Sequence, residues 1–302
     1  MSDRGPNSPK AWANFLVRAW GPHFPIGVRT IALEYSRQRF PDPINKIAEA
    51  EVESFEGALY PLRKKGGWAI LYNPAIPVPG RINFTIGHEL GHYLNHRFRV
   101  QAAEGFECSQ QRVLGYDRDA ELRRLEEEAD VFASYLLMPM DDFRRQVAGQ
   151  TMTIELLGHC ADRYGVSFTA AARKWIEFTE ERAVLVVGRD GFVLWARSSK
   201  PALASGVYFR SGTPLPDGCL AVRPGAVAPS HAGTGVALAP GIWTAREPAR
   251  EMVIFADLYD LTISLLVLPK DAPARRWGDQ CDEEDGPLED SFDRLSRGFI
   301  PG

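Results

Sequence analysis

The residues best suited to chemistry form the segment His88-Glu89-Leu90-Gly91-His92. Residues four apart on a helix lie on the same face one turn apart, so both imidazoles can reach one metal ion. Glu89 lies on the neighbouring stripe, where it can take a proton from a metal-activated water without binding the metal itself. The spacing therefore predicts a zinc site with hydrolytic chemistry.

A surface helix with two solvated histidines is the alternative interpretation of this segment. The apolar residues around it (Phe84, Ile86, Leu90 and Leu94) predict instead that one face of the helix is buried. Histidines on a buried face need polar or metal partners. The surroundings therefore favour the metal site.

A catalytic zinc needs a third protein ligand, and the acidic run at 126–130 offers one. Glu126 and Asp130 lie one helical turn apart and share a face, whereas Glu127 and Glu128 are expected to point away. We predict that Glu126 binds the metal and that Asp130 accepts a hydrogen bond from a ligand histidine, which fixes the imidazole tautomer. The alternative is that the run is a solvated acidic face.

Two segments together resemble one known family. RINFTIGHELGHYLNH (81–96) and EEEADVFASYLLMP (126–139) resemble the two helices of the ImmA/IrrE family of metallo-endopeptidases. Gly87 stands where the family usually has Ala, and Asp130 stands where it usually has Asn, which leaves the hydrogen-bond acceptor in place. The resemblance covers roughly residues 28–180.

The resemblance implies an α+β fold and a regulatory protease. We expect a zincin-like metallopeptidase domain at 1–140, a helical, helix-turn-helix-like extension at 141–181, a C-terminal GAF-like mixed α/β sensor domain at 182–270, and an acidic, flexible tail at 271–302. Family members cleave a helix-turn-helix repressor and thereby switch on a stress, mobile-element or antiviral defence operon. Such a repressor is the expected substrate.

Carried over residue by residue, the resemblance assigns His88, His92 and Glu126 to the metal and Glu89 to the catalytic base. The expected cofactor is Zn²⁺, with another divalent metal such as Mn²⁺ as the alternative. Two other functions stay open: a non-proteolytic repressor- or DNA-binding regulator with a structural zinc, and a peptidase of broad specificity.

Cys108 lies between the two segments that carry the predicted ligands. A thiolate there could bind the metal as a fourth ligand, displace the catalytic water and hold the enzyme latent. An ordinary loop cysteine is the simpler interpretation. The four cysteines are widely spaced and do not form a disulfide framework.

Other polar residues give weaker signals. His159 and Tyr135 are candidates for stabilising the oxyanion of a tetrahedral intermediate, and the sequence does not choose between them. His96 follows His92 by four residues but is expected to be solvated near the helix end. The predicted helix pair at 154–178 has the form of a helix-turn-helix, although its apolar content favours packing over DNA contact by residues such as Lys174.

Hydrophobic periodicity and turn residues predict helices first and then a strand-rich part. The predicted helices cover 11–20, 28–39, 83–95, 122–138, 154–164 and 169–178. The predicted strands cover 56–60, 67–73, 183–187, 192–196, 252–256 and 262–268. We also expect the strand at 67–73 to pair with an extended substrate segment.

Composition and charge narrow the class of protein. The chain has 302 residues, 45% of them hydrophobic and 25% charged, which excludes full disorder. Its apolar runs are too short to span a bilayer and its first residues are polar, so we expect a cytoplasmic protein without a membrane partner.

The net charge of −4 depends on the last part of the chain, because residues 271–302 carry four basic and nine acidic side chains. The rest is nearly neutral, and the expected sensor domain is mildly basic. A nucleic-acid trigger such as single-stranded DNA, or a small-molecule trigger, therefore stays possible. Its basic residues include Arg182, Arg189, Arg197, Lys200, Arg210 and Arg223.

Overall fold

The computed structural model describes residues 6–51, 55–62, 66–76, 78–100, 106–109, 116–223, 233–256 and 260–271. Side chains are described for these residues except 55, 99–100, 106–109 and 116–119. Almost the whole predicted acidic tail lies outside the described residues. The fold is α+β, with helices and two sheets. The chain divides into one compact unit of residues 1–149 and 158–171 and a second of residues 150–157 and 172–302.

The first unit contains a four-stranded sheet of order β1-β3-β2-β4. Its strands are β1 (Ile44–Glu49), β2 (Phe55–Pro61), β3 (Trp68–Tyr72) and β4 (Phe106–Ser109). Strand β3 pairs in parallel with β1 and antiparallel with β2, so both of its edges are occupied. The prediction that this strand pairs with a substrate is therefore wrong.

The helices of the first unit lie mostly where the periodicity predicts them, except for the one at 140–147, which was not predicted. They are α1 (Pro9–Trp20), α2 (Val28–Thr30), a π-helical turn (Ile31–Tyr35), α3 (Ser36–Arg39), α4 (Pro79–Val100), α5 (Tyr116–Leu137) and α6 (Met140–Val147). The side chain of Ser8 accepts a hydrogen bond from the amide of Ala11 and caps α1. None of the described helices is long and apolar enough to cross a membrane.

Helices α4 and α5 approach closely at small residues. A Cβ atom placed on Gly91 would lie 3.0 Å from Cδ1 of Phe132 and 3.2 Å from Cα of Ala129. A Cβ atom on Gly87 would lie no closer than 3.4 Å, to Cβ of Ala133. Gly91 is thus required for the observed approach, whereas the position of Gly87 has room for a methyl group.

The next two helices are capped as the sequence predicts. Helix α7 (Ile154–Tyr164) is capped by the Thr153 hydroxyl, and α8 (Phe168–Phe178) is capped by the Ser167 hydroxyl. Lys174 on α8 is only 1% exposed and lies 3.3 Å from a carboxylate oxygen of Glu177. A buried ammonium group does not contact DNA phosphates, so this helix fits the packing interpretation.

The second unit contains a five-stranded sheet of order β6-β5-β9-β8-β7, in which all neighbours are antiparallel. Its strands are β5 (Ala183–Arg189), β6 (Phe192–Ser198), β7 (Val236–Leu238), β8 (Ala249–Ala256) and β9 (Leu261–Val267). The β5–β6 hairpin turns at Asp190 and Gly191, which both have positive φ angles. This hairpin confirms the predicted one.

A hydrophobic core of its own supports the second sheet. Val184, Val186 and Leu266 of the sheet pack with Trp243 from the segment between β7 and β8. Helix α9 (Lys200–Ala204) and a 3₁₀ turn (Leu220–Val222) follow β6.

Arg182 is a structural residue of this unit. Its guanidinium is 4% exposed and donates two hydrogen bonds of 2.7 Å to the carboxylate of Glu247. It also donates to the carbonyl oxygen of Pro269. Arg182 is therefore a buried cation of the structure and not part of a basic surface.

Substitutions at the two glycines of α4 test the helix contact. Gly91→Ala should lower Tm by about 2–8 °C, because a methyl group there forces α4 away from α5. Gly87→Ala should leave Tm unchanged or raise it slightly, because alanine favours a helix and fits the space. Calorimetric unfolding measures both variants, and equal Tm values for the two would contradict this packing.

Candidate metal centre

Helix α4 places the first two predicted ligands one turn apart. His88 and His92 turn their Nε2 atoms toward each other, and these atoms lie 2.9 Å apart. His88 is partly buried, and His92 is completely buried. The four-residue spacing therefore brings two imidazole nitrogens to one point.

Helix α5 brings a carboxylate to the same point. The Oε2 atom of Glu126 lies 3.1 Å from Nε2 of His88, and its Oε1 atom lies 3.3 Å from Nε2 of His92. Ligand atoms of all three residues lie within 4.8 Å of one another. The structure thus brings together the three residues that the sequence singles out, and their role as metal ligands is a prediction that the geometry supports.

The electrostatics of the cluster suit a cation. Burial lowers the pKa of His92 to about 4, so its imidazole is neutral at pH 7, as a metal ligand must be. Burial alone would raise the pKa of Glu126, but hydrogen bonds with His88 and His92 hold it well below its ordinary value. The cluster therefore offers the neutral imidazole of His92 and an ionised carboxylate.

Asp130 lies where the sequence predicts it. Its Oδ1 atom lies 2.8 Å from Nδ1 of His88, on the side of the ring away from the cluster. An Nδ1–H that donates to this carboxylate leaves the lone pair of Nε2 directed at the cluster. Asp130 can thus hold His88 in the tautomer that binds a metal.

Glu89 is buried between α4 and strand β2. Its side chain is 1% exposed, and it does not belong to the cluster of possible ligand atoms. A Cβ atom on Gly57 of β2 would lie 3.0 Å from Oε1 of Glu89 and would collide with Cγ2 of Thr85. The absence of a side chain at Gly57 therefore lets β2 lie directly against the predicted base.

His96 and Glu128 differ from the prediction. His96 is 2% exposed, its Nδ1 lies 3.0 Å from Nδ1 of His92, and its Nε2 lies 3.0 Å from Oε2 of Glu128. The predictions of a solvated His96 and of an outward-pointing Glu128 are wrong. The available signal was the spacing, because His96 continues the four-residue series of His88 and His92.

The described contacts of the cluster do not test the roles predicted for three other residues. The backbone of Cys108 lies in β4, but its side chain is outside the described part of the chain, so a fourth ligand there stays a prediction. His159 donates to Gln146 over 3.2 Å, and the Lys10 ammonium lies 4.6 Å from the ring centre of Tyr135. The choice of oxyanion residue stays open.

Comparison with known proteins gives a family and a fold. Residues 45–175 match the family model of the IrrE N-terminal-like domain, Peptidase_M78. A search of curated proteins gives no match. A solved structure of a Mycobacterium tuberculosis transcriptional regulator is similar over 85% of this chain and 74% of that chain, with a TM-score of 0.50 and 14% sequence identity. At this identity the likeness concerns the fold alone.

The matched residues include the whole of α4 and α5. They therefore contain the three residues of the cluster and the neighbouring carboxylates of Glu89 and Asp130. The family is one of peptidases, and peptide hydrolysis is a reaction that suits a possible metal site with a buried carboxylate beside it. Residues 45–175 therefore form an IrrE N-terminal-like domain of the Peptidase_M78 family, which supports the resemblance to the ImmA/IrrE metallopeptidases.

Proposed function

We propose that the chain is a zinc-dependent endopeptidase that cleaves a helix-turn-helix transcriptional repressor and so switches on a stress, mobile-element or defence operon. The observation that carries the hydrolytic part is the convergence of His88, His92 and Glu126 beside the buried Glu89. The choice of a repressor as substrate rests on the resemblance to the family.

The donor atoms fit zinc. Catalytic zinc sites use three nitrogen or oxygen ligands from the protein and keep a fourth position open. Ligands about 2.0–2.1 Å from a tetrahedral zinc lie about 3.3 Å from one another. The observed separations among His88, His92 and Glu126 are 2.9, 3.1 and 3.3 Å. Two imidazoles also suit zinc better than Mn²⁺, which prefers oxygen ligands.

The residues around the cluster have separate tasks in the proposed reaction. When bound, zinc would polarise the scissile carbonyl and lower the pKa of a water molecule in the site. Glu89 accepts the proton of the attacking water and later donates it to the nitrogen of the leaving amine. Asp130 keeps His88 in the required tautomer, and burial protects the Glu89 carboxylate from bulk water.

We infer that the second unit is a GAF-like sensor domain of this enzyme and that the first sheet with α4 and α5 is a zincin-like core. The five-stranded antiparallel sheet with its own hydrophobic core supports a separately folded sensor. Its ligand would be single-stranded DNA or a small molecule. Since Arg182 is buried, a nucleic acid would have to use other cations such as Arg189 and Lys200, which are exposed.

Replacement of Glu89, the proposed base, distinguishes its role in proton transfer from any role in metal binding. Glu89→Gln should retain zinc and lower the rate of repressor cleavage by about 10²–10⁴-fold, because the amide cannot accept the proton. The assay incubates the protein with candidate helix-turn-helix repressors and follows the fragments by mass spectrometry. Zinc content is measured by elemental analysis, and Glu127→Gln on the exposed side of α5 is the control.

Each contrary outcome has a distinct meaning. Cleavage by Glu89→Gln at the wild-type rate contradicts the mechanism. A wild-type protein that holds zinc and cleaves nothing supports a regulator with structural zinc. Equal cleavage of unrelated unfolded proteins supports a peptidase of broad specificity.

Substitution of Gly57 tests the contact between β2 and the base. Gly57→Ala should lower kcat by about 10–100-fold, because the added methyl group displaces Thr85 and crowds the Glu89 carboxylate. Zinc content should not change, since β2 carries none of the three predicted ligands. Gly158→Ala is the matched control, because a Cβ atom on Gly158 has no neighbour within 4 Å. Full activity of Gly57→Ala would show that β2 does not position Glu89.

A further inference from the structure

A third histidine extends the metal cluster away from the metal. His88, His92 and His96 follow one another at intervals of four residues on α4. The ring centres of His92 and His96 lie 5.2 Å apart, and the two Nδ1 atoms lie 3.0 Å apart. His96 is as deeply buried as the ligand histidine that it contacts, with 2% of its side chain exposed. A buried imidazole is expected to have hydrogen-bond partners or a functional role.

The distances determine where the protons lie once a metal is bound. Because Nε2 of His92 faces the cluster, it must present its lone pair there, and the proton of the ring must be on Nδ1. That N–H then donates to Nδ1 of His96, which acts as an acceptor. The proton of His96 must consequently be on Nε2, from which it is donated to Oε2 of Glu128 over 3.0 Å.

The two ligand histidines are thus held from behind by different groups. His88 donates directly to the carboxylate of Asp130, whereas His92 reaches a carboxylate only through His96. The second carboxylate, Glu128, is 35% exposed and lies 3.5 Å from Nε of Arg124 on the same helix. The hydrogen-bond chain therefore runs from the completely buried His92 to the surface of α5.

We propose that His96 and Glu128 are positioning residues that fix the tautomer and ring orientation of His92 for zinc, an inference that rests on the proposed function. Hydrogen bonds of this kind to a metal-binding imidazole typically change metal affinity by about 10–100-fold. In this role His96 accepts a hydrogen bond from His92 at its Nδ1 atom. An asparagine at 96 presents an amide oxygen near that place, whereas a leucine fills the space without an acceptor.

The test compares His96→Leu with His96→Asn. Zinc affinity is measured by competition with a chromogenic chelator, and the visible absorption spectrum of the Co²⁺-loaded protein reports the ligand geometry. His96→Leu should bind zinc about 10–100-fold more weakly and change the Co²⁺ spectrum. His96→Asn should keep both within about threefold of the wild type, since the acceptor is retained.

Substitutions of the carboxylate give a second line of evidence. Glu128→Ala should weaken zinc binding in the same direction as His96→Leu, because Nε2–H of His96 loses its acceptor. Glu127→Ala, at an exposed position of the same helix, should leave the affinity unchanged. If His96→Leu does not fold, the other two variants still test the inference. It requires that Glu128→Ala weakens zinc binding and that His96→Asn retains it.

Outcomes that overturn this inference differ from those that overturn the proposed function. Wild-type zinc affinity and an unchanged Co²⁺ spectrum in His96→Leu or Glu128→Ala, together with an active wild-type enzyme, overturn the positioning role alone. A wild-type protein that binds zinc but cleaves no repressor overturns the proposed function and leaves the affinity comparison valid. Equal losses in His96→Leu and His96→Asn indicate a packing role and also overturn the inference.

Discussion

The contact between α4 and α5 is the constraint on which the candidate centre depends. Two of the three predicted ligands lie on α4, and the third lies 38 residues away from His88 on α5. No hydrogen bond within either helix can bring Glu126 to the histidines, so their distance is set by how closely the helices pack. Gly91 determines this approach, because its missing Cβ leaves room for Phe132 and Ala129. A residue between the two predicted ligand histidines thus contributes to packing.

Burial makes the polar face of α4 costly unless every group has a partner. Glu89, His92 and His96 are each no more than 2% exposed. A polar group without a partner at such depth costs about 1–3 kcal/mol of folding free energy in mutational data. For the histidines, partners come from α5, where Glu126 contacts the two predicted ligands and Glu128 contacts His96. The same helix contact that assembles the centre therefore also stabilises the buried face of α4.

The sequence predicts the local parts of the fold well and the long-range pairings poorly. The four-residue spacings of His88 with His92 and of Glu126 with Asp130 follow from helix geometry, and the structure places all four residues together. The orientation of Glu128 was wrong because the reasoning considered the faces of α5 alone, whereas the crossing of α4 decides which residues of α5 reach it. The inner position of β3 could not be predicted either, since half of the residues of β1 (Ile44–Glu49) are polar and only its first residue is buried.

The direction of hydrogen bonds distinguishes the candidate centre from a buried structural carboxylate. Glu251 of the second unit is completely buried, but its oxygens accept from the amide of Leu220, the indole N–H of Trp243 and the hydroxyl of Ser264, so donors balance the charge. Such a group stabilises a core and needs no ion.

The cluster on α4 and α5 differs from this arrangement, because acceptor atoms of three side chains face one another in it. With the Nδ1 protons of His88 and His92 directed to Asp130 and His96, both Nε2 lone pairs face the Glu126 carboxylate, and the three ligand atoms lie 2.9–3.3 Å from one another. Acceptor atoms at such separations repel one another, and a cation between them would offset this repulsion. Because burial disfavours the protonated form of His92, a divalent cation is the better partner. The same hydrogen bonds that orient the two rings thereby also favour the proposed metal site.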